Sequence, residues 1–304
     1  MSLAASLPRS RSPGLSAGDF GLYGATVFAW GFSWIAMKGQ VGPVPPEVSV
    51  FWRFVLAAAV MVAWSRFRGN ALGFPWTAHL RFAGLGALMF STNFTLFYYG
   101  AGYIPSGLLA VIFSTASIFN LLLSFLLFGQ RPGGSMLFAG ALGFAGVALM
   151  FWPQIMGAEI NMGAAAGLAF CVLGTLSFCL GNMLSAATQE AGIGVTPATT
   201  WGMVYSAGLL GLFCLVKGNS FAVDVTLTYL GSLIYLALVA SVIAFGAYLT
   251  LLGRIGSARA GYVTVLFPVV ALGVSTIFEG YQWTPTALAG LGFVLAGNLI
   301  MLRR

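Results

Sequence analysis

Long apolar runs, separated by short polar turns, follow one another along almost the whole chain. Each run holds about 20 residues, which as an α-helix is enough to cross roughly 30 Å of hydrocarbon. The runs lack the period of two that lipid-facing β-strands require. We therefore predict an all-α integral membrane protein with ten transmembrane helices, at residues 19–38, 46–65, 80–101, 105–128, 134–152, 162–188, 196–216, 227–252, 258–279 and 285–302.

The second half of the chain resembles the first when the numbering is shifted by 151 residues. This one shift, without a gap, aligns Pro46 with Pro197, Gly102 with Gly253, Ser106 with Ser257, Gly129 with Gly280 and Met150 with Met301. Five spans are an odd number, so the second half must start on the opposite face of the membrane and run inverted. We predict two inverted five-helix repeats, residues 19–152 and 153–304, which together form one membrane domain.

Composition and charge exclude a water-soluble protein and suggest an orientation. The chain is 59% hydrophobic and 6% charged, too little polar surface to cover a soluble globule. Ten of the thirteen Lys and Arg residues fall on one side of the predicted spans, Lys38 and Lys217 fall on the other, and Arg53 lies inside a span. Basic residues mark cytoplasmic loops. Both termini are therefore predicted to be cytoplasmic, with residues 1–18 as a disordered arm, and the net charge of +7 needs no nucleic acid partner.

The chain lacks the residue patterns of an enzyme or a metal protein. His79 is the single histidine, the three cysteines form no close ligand pair, and no phosphate-binding Gly-x-x-x-x-Gly-Lys loop is present. We predict no catalytic function, no metal and no cofactor. All six acidic residues lie near span ends, whereas a proton-coupled carrier usually keeps a carboxylate near mid-membrane. This favours facilitated transport, with proton coupling as the alternative.

Polar and aromatic residues inside the spans are candidates for a binding site. Trp30, Trp34 and Lys38 recur every four residues and share one stripe of the first span. For Trp34 and Lys38 the alternative is an interfacial belt with a snorkelling lysine. Arg53 lies seven residues into the second span, where a guanidinium could attract a substrate carboxylate or bind backbone carbonyls.

Other candidates come from the later spans, although polar groups there can equally hold helices together. They are Asn93, Phe97, Tyr98, Tyr99, Asn182 and Tyr248, with Asn120 and Ser241 as weaker ones. Phe97 and Tyr248 are repeat equivalents, which places one aromatic ring from each half near the predicted twofold axis, where such transporters bind substrate. Pro268, in the middle of the ninth span, predicts either a static kink or a bending point for a gate.

Several short motifs resemble those of the drug/metabolite transporter superfamily, whose ten-span carriers have two EamA-type halves. They are Trp30-Gly31 followed by Ser33, Trp52-Arg53-Phe54 followed by Ala57, and the hairpins Gly129–Gly146 and Gly280–Gly297. Within the superfamily the chain is most similar to the YddG aromatic amino acid exporters. Gln130 departs from the pattern, because many first halves have glutamate there, and no role of that glutamate carries over.

The resemblance implies a function. It implies a bacterial inner-membrane protein with a central cavity and with peripheral fifth and tenth spans. It also implies export of aromatic and other neutral amino acids by alternating access. The alternatives are export of drugs, purines or other small metabolites, a channel, and a membrane enzyme. Small residues four apart, Ala141 with Ala145 and Gly292 with Ala296, indicate close helix packing within one chain, so we expect a monomer.

Overall fold

A computed structural model describes residues 16–129, 133–155, 161–255 and 263–302. The regular elements in these ranges are all helical, and two of them are π-helical segments, at Gly86–Thr92 and Tyr235–Ile243. The α-helices are α1 (Ala17–Lys38), α2 (Pro46–Phe67), α3 (Trp76–Leu85), α4 (Asn93–Ala101), α5 (Ser106–Ser114), α6 (Ala116–Phe128), α7 (Gly134–Ile155), α8 (Met162–Glu190), α9 (Val195–Val216), α10 (Leu227–Ile234), α11 (Ala244–Ile255), α12 (Val263–Glu279) and α13 (Pro285–Leu302).

Helix length and hydropathy identify a multi-pass membrane protein. Seven helices within the described residues are long and apolar enough to cross a membrane, and α12 and α13 contribute shorter apolar helices. The predicted third span corresponds to α3, the first π-helical segment and α4, which follow one another without a break. The all-α membrane class predicted from the apolar runs is thus confirmed. The count of ten spans and the inverted repeat stay predictions.

Local sequence determines where the helices begin and end. The Ser16 hydroxyl accepts from the Asp19 backbone N–H at 3.2 Å, and the Asp19 carboxylate accepts from the Ser16 N–H at 3.0 Å, which forms a capping box. Helix α1 therefore begins two residues before the predicted start. The predicted arm lies outside the described residues apart from residues 16–18. Gly129 and Gly280, 151 positions apart, follow α6 and α12 with φ of 67° and 66°, values that favour glycine.

Helices α7 and α13 pack against each other at glycine residues. A Cβ atom at Gly146 would lie 2.5 Å from the Gly290 carbonyl oxygen, and one at Gly297 would lie 2.6 Å from the Ala139 carbonyl oxygen. Close packing of small residues was predicted for the fifth and tenth spans, which correspond to α7 and α13. The residues in contact are Gly146, Gly290 and Gly297, not the predicted ones. Ala141 and Gly292 are exposed, because they face away from the glycine contact.

The structure interrupts the predicted fourth span at Thr115, where α5 ends and α6 begins. The Thr115 hydroxyl donates to the Ile112 carbonyl oxygen at 2.6 Å, so this short bend is closed by its own side chain. In contrast, α12 passes through Pro268 without interruption, and Pro268 is buried. The repeat shift aligns Pro268 with Ser117, two residues after the bend in the other half.

Candidate functional site

A cavity of about 470 Å³ lies between helices of the two sequence halves. This volume falls within the range of small-molecule sites. Its wall is mostly aromatic, with rings from Trp30, Trp34, Phe90, Phe94, Phe97, Phe113, Phe178, Phe245, Tyr248 and Phe267. The rings contact one another: the ring centroids of Trp34 and Phe97, and those of Trp30 and Tyr248, are 5.2 Å apart. The cavity therefore offers an apolar, π-rich surface to a ligand.

Within the described residues, the cavity opens at one end. Its lining residues Ala186 and Gln189, where α8 finishes, are exposed, whereas Met37 and Phe97 at the far end are 2% and 1% exposed. The end of α2 lies on the same side of the protein. The Ser65 hydroxyl near the end of α2 is 2.9 Å from the Thr200 hydroxyl near the start of α9, so α2 ends where α9 begins. We call this open end the inner end, and the end that holds Lys38 the outer end.

Hydrogen bonds between neighbouring helices close the outer end. The ammonium group of Lys38 donates to the carbonyl oxygens of Ala101 and Ile104. The carboxylate of Glu279 accepts from the backbone N–H of Ser106 at 2.9 Å and from its hydroxyl. These bonds join the ends of α1 and α12 to the turn between α4 and α5, and they cover the cavity on this side.

A second outer cluster surrounds Glu47 at the start of α2. Its carboxylate accepts hydrogen bonds from Tyr99, Asn219 and Lys217, and the bond to Lys217 is the one ion pair within the described residues. The hydrogen bond to Glu47 raises the pKa of Lys217, which therefore stays protonated at neutral pH. The cluster joins α2 to α4 and to the loop after α9 across the two halves.

Three predicted site residues lie outside the cavity wall, so their predicted substrate-binding role has no support from the cavity. Lys38 and Tyr99 take part in the outer contacts described above, and the Tyr98 hydroxyl donates to the Gln40 side-chain oxygen at 2.6 Å. The reason is helical phase: successive residues differ by about 100° around a helix, so Tyr98 and Tyr99 cannot share the direction of Phe97. Lys38 lies at the outer tip of α1, beyond the cavity.

The other predicted residues lie at the cavity. They are Trp30, Trp34, Arg53, Asn93, Phe97, Asn182 and Tyr248. Pro268 does not line the cavity, but its neighbour Phe267 does. A substrate-binding role for these residues, and a gating role for Pro268, stay predictions.

Four residues of the cavity wall carry buried polar atoms that have no hydrogen-bond partner within the described part of the chain. Two are donors, the indole Nε1 of Trp34 and the guanidinium Nη1 of Arg53. Two are acceptors, the amide Oδ1 atoms of Asn93 and Asn120. A buried polar group left unpaired costs about 1–3 kcal/mol. A ligand that pairs with these groups would therefore recover part of this cost.

Arg53 is 3% exposed and has no carboxylate partner among the described residues. Its Nε and Nη2 atoms donate to the Ser241 hydroxyl oxygen at 3.2 and 3.1 Å, and its Cζ atom lies 4.1 Å from the ring centroid of Phe94. The positive charge is thus held by neutral groups, which leaves it available to an anion.

Sequence reasoning missed most of the aromatic wall. The repeat shift could have located it, because in six pairs of equivalent positions both members line the cavity. These pairs are Trp34 with Ser185, Met89 with Ala240, Phe94 with Phe245, Phe97 with Tyr248, Phe113 with Thr264, and Ala116 with Phe267. In one of these pairs, Phe94 and Phe245, the two aromatic residues are identical, which is a signal visible in the sequence.

The described residues bring no three His, Cys, Asp or Glu side chains together in a way that could hold a metal ion. Among the described residues, those that line the cavity include none of these four types and no lysine. Chemically, the arrangement can bind a small molecule through aromatic contacts, amides and one guanidinium.

Comparison with known proteins gives the family context. The sequence model of the EamA-like transporter family matches twice, at residues 18–152 and 165–303. A "Probable amino-acid metabolite efflux pump" of Escherichia coli is 25% identical over 288 residues, covering 90% of this chain and 91% of that protein. Protein PecM of Dickeya dadantii is 25% identical over 284 residues, covering 93% and 91%. One protein crystal structure has a similar fold, with a TM-score of 0.66 at 15% identity over 94% of this chain and 96% of that one.

Proposed function

Because the chain belongs to the EamA-like transporter family, we propose that it exports aromatic and other neutral amino acids across the bacterial inner membrane. The family and the curated relative named as an efflux pump support a transporter rather than an enzyme. The amino acid specificity is our own inference from the cavity. Among amino acid exporters, the aromatic wall suggests a function like that of the YddG exporters.

The unpaired polar atoms of the cavity are the observation on which this proposal rests. A free amino acid carries a carboxylate, which only accepts hydrogen bonds, and an ammonium group, which only donates them. Arg53 Nη1 and Trp34 Nε1 can serve the carboxylate, and the amide oxygens of Asn93 and Asn120 can serve the ammonium group. The aromatic wall suits an apolar or aromatic side chain.

The charge at the cavity also separates this proposal from the alternatives. Among the described residues that line the cavity, Arg53 is the only Lys or Arg, so a sugar phosphate would lack the clustered cations it needs. A neutral drug or purine would leave the guanidinium without a counter-charge. A zwitterionic amino acid brings a carboxylate for the guanidinium and an ammonium group that can donate to the neutral amide oxygens of Asn93 and Asn120.

We infer an alternating-access carrier of ten spans in two inverted repeats. The inference is supported by the two matches of the family model and by the six pairs of equivalent lining positions. The glycine ends of α6 and α12 and the two π-helical segments also obey the 151-residue shift. Basic residues Arg66, Arg68 and Arg81 lie near the inner end, which suggests that this end faces the cytoplasm. A cavity open to the cytoplasm is ready to load substrate for export.

The repeat also predicts how the inner end closes. The shift aligns Lys38, Ala101 and Ile104 of the outer contact with Gln189, Leu252 and Ile255. Gln189 is exposed at the cavity mouth, and its amide nitrogen lies 3.4 Å from the Ser185 carbonyl oxygen, a long hydrogen bond. We propose that in the opposite state the Gln189 amide donates to the carbonyl oxygens of Leu252 and Ile255, as Lys38 does at the outer end now.

Flux measured in proteoliposomes tests the proposed function. Labelled L-phenylalanine should enter in a saturable manner, show counterflow and be competed by tyrosine, tryptophan and other neutral amino acids. Purines and sugar phosphates should compete poorly. Unsaturable flux would indicate a channel, and saturable flux of purines without competition by amino acids would contradict the proposal.

We predict that transport is not coupled to protons. None of the residues that line the cavity within the described ranges is Asp, Glu, His or Lys, and arginine does not titrate in proteins. An imposed pH gradient at fixed membrane potential should therefore leave the final distribution of phenylalanine at its equilibrium value. Accumulation driven by the gradient alone would contradict facilitated export. Asp19 and Glu190 would then be the first residues to neutralise.

Replacing Pro268 by alanine is expected to slow turnover severalfold and to leave substrate affinity unchanged. Proline has no backbone N–H to donate, and its ring crowds the preceding turn, so the helix can bend there. Alanine supplies an N–H and removes this crowding, so it should stiffen α12, whose Phe267 lines the cavity. Turnover and Kd of the variant can be compared with those of Pro285→Ala, a change at the first residue of α13, where the missing donor costs little. Equal turnover of Pro268→Ala and the parent would leave only a static kink.

A further inference from the structure

The two π-helical segments border the cavity and occupy equivalent places in the two halves. They end at Thr92 and Ile243, positions 151 apart. The backbone N–H of Asn93 donates to the Leu88 carbonyl oxygen, and that of Ala244 donates to the Val239 carbonyl oxygen. Each bond reaches back five residues, as in a π-helix, and the two bonds are 151 positions apart. Such segments are rare in proteins and occur often at functional sites.

The second segment, Tyr235–Ile243, holds the hydroxyl group that contacts Arg53. Ser241 is 1% exposed and donates its hydroxyl proton at 2.9 Å to the Leu236 carbonyl oxygen, five residues earlier. A hydroxyl group has one proton and two lone pairs. With the proton committed to Leu236, the lone pairs accept from Nε and Nη2 of Arg53. These two bonds fix the plane of the guanidinium and leave Nη1 unpaired.

The first segment, Gly86–Thr92, orients an amide in the same manner. The side-chain nitrogen of Asn93 donates at 3.1 Å to the carbonyl oxygen of Met89, within the segment. Because that bond assigns the nitrogen to the helix, the Oδ1 atom points elsewhere, and it has no partner among the described residues. Ser177 of α8 donates to the Leu88 carbonyl oxygen at 2.8 Å and anchors the segment.

We propose that the two π-helical segments orient the two polar ends of the substrate site. In the second segment Ser241 is a positioning residue, which directs the guanidinium of Arg53 at the substrate carboxylate. In the first segment the Met89 carbonyl directs the amide oxygen of Asn93 at the substrate ammonium group. This inference rests on the proposed function and extends it, because it separates carboxylate recognition from ammonium recognition.

Binding of three ligands to purified carrier in detergent or nanodiscs tests the inference. L-Phenylalanine carries both polar groups, L-phenylalaninamide carries only the ammonium group, and 3-phenylpropanoate carries only the carboxylate. Ser241→Ala should weaken L-phenylalanine and 3-phenylpropanoate about tenfold, since a hydrogen bond to a charged group is lost, and should change L-phenylalaninamide less than about twofold. Ser241→Thr, which keeps the hydroxyl, should restore most of the affinity.

Asn93→Leu should give the complementary pattern. It keeps the size of the side chain but removes the amide, so L-phenylalanine and L-phenylalaninamide should weaken about tenfold while 3-phenylpropanoate is unaffected. Ser65→Ala is a matched control, because Ser65 is a buried serine that does not line the cavity, and its hydroxyl partner at 2.9 Å, Thr200, lies outside both π-helical segments. It should change all three affinities equally, if at all.

The outcomes distinguish failure of this inference from failure of the proposed function. If the parent protein binds none of the three ligands, the proposed function is wrong. If it binds L-phenylalanine but Ser241→Ala leaves all affinities unchanged, or weakens all three equally, Ser241 does not position Arg53 and the inference is overturned. A Ser241→Ala protein whose ligand preference shifts towards L-phenylalaninamide, with recovery in Ser241→Thr, supports it.

Discussion

Replacing Arg53 by glutamine is expected to lower the affinity for L-phenylalanine about 100-fold, the largest binding effect of any single change in the cavity. Hydrogen bonds to charged groups contribute about 1.5–3 kcal/mol, and the upper value corresponds to a factor of roughly 100 or more. Glutamine keeps a donor but removes the positive charge, so a carboxylate in this aromatic cavity would lose its counter-charge. Competition binding with L-phenylalanine and L-phenylalaninamide measures the effect.

The same change should not unfold the carrier, because it removes a buried charge that has no carboxylate partner among the described residues. Thermal unfolding should therefore give a Tm at or above that of the parent. Arg66→Gln is the matched control, since Arg66 is exposed near the inner end of α2 and does not line the cavity. An Arg53→Gln protein with unchanged affinity for L-phenylalanine, or with the same loss for the amide, would show that Arg53 does not bind the carboxylate.

The membrane architecture could be predicted because it depends on patterns that a sequence shows directly. Lipid requires long apolar runs, and the turns between them must be polar, so the length and spacing of the runs indicate helices. Arg53 could be identified by its charge inside a span, and Trp30 by its depth. Both line the cavity. These predictions needed only the position of a residue along one helix.

The sequence was insufficient where a prediction depended on the rotation of a helix or on the partner of a side chain. Lys38 shares a stripe with Trp30 and Trp34, yet it binds two carbonyl oxygens beyond the cavity. The π-helical segments could not be predicted, because over seven or nine residues their pattern of apolar positions hardly differs from that of an α-helix. The sequence named Asn93 and Ser241 as candidates, but the contacts that orient the Asn93 amide and the Ser241 hydroxyl could be seen only in the structure.

The second large effect concerns the opposite state of the carrier. Gln189→Lys is expected to slow export about tenfold by holding the inner end closed. At the outer end, the ammonium group of Lys38 binds the carbonyl oxygens of Ala101 and Ile104. The repeat shift aligns these two residues with Leu252 and Ile255, so an ammonium group at position 189 could bind there in the same way. Charge-assisted hydrogen bonds are roughly twice as strong as neutral ones, so lysine should bind the two carbonyl oxygens more tightly than the native amide. A gain of about 1.4 kcal/mol shifts the equilibrium between the two states tenfold.

Gln189→Met, which keeps the length but has no donor, should shift the same equilibrium in the reverse direction. Single cysteines at two lining positions report the shift: Thr199→Cys near the inner mouth and Met37→Cys at the closed outer end. The native cysteines are buried. With an impermeant maleimide, Gln189→Lys should protect position 199 and expose position 37 from the other side, whereas Gln189→Met should increase labelling at 199.

Ala191→Lys controls for added charge, because it places the same group at the same end of α8 on an exposed residue that does not line the cavity. It should leave labelling at both positions unchanged. Parallel changes in Gln189→Lys and Gln189→Met would contradict a latch, since the two variants differ in whether position 189 can donate. Opposite changes in labelling would mean that a hydrogen-bond donor at position 189 stabilises the state closed at the inner end. This is the role that we propose for Gln189, as the counterpart of Lys38 at the outer end.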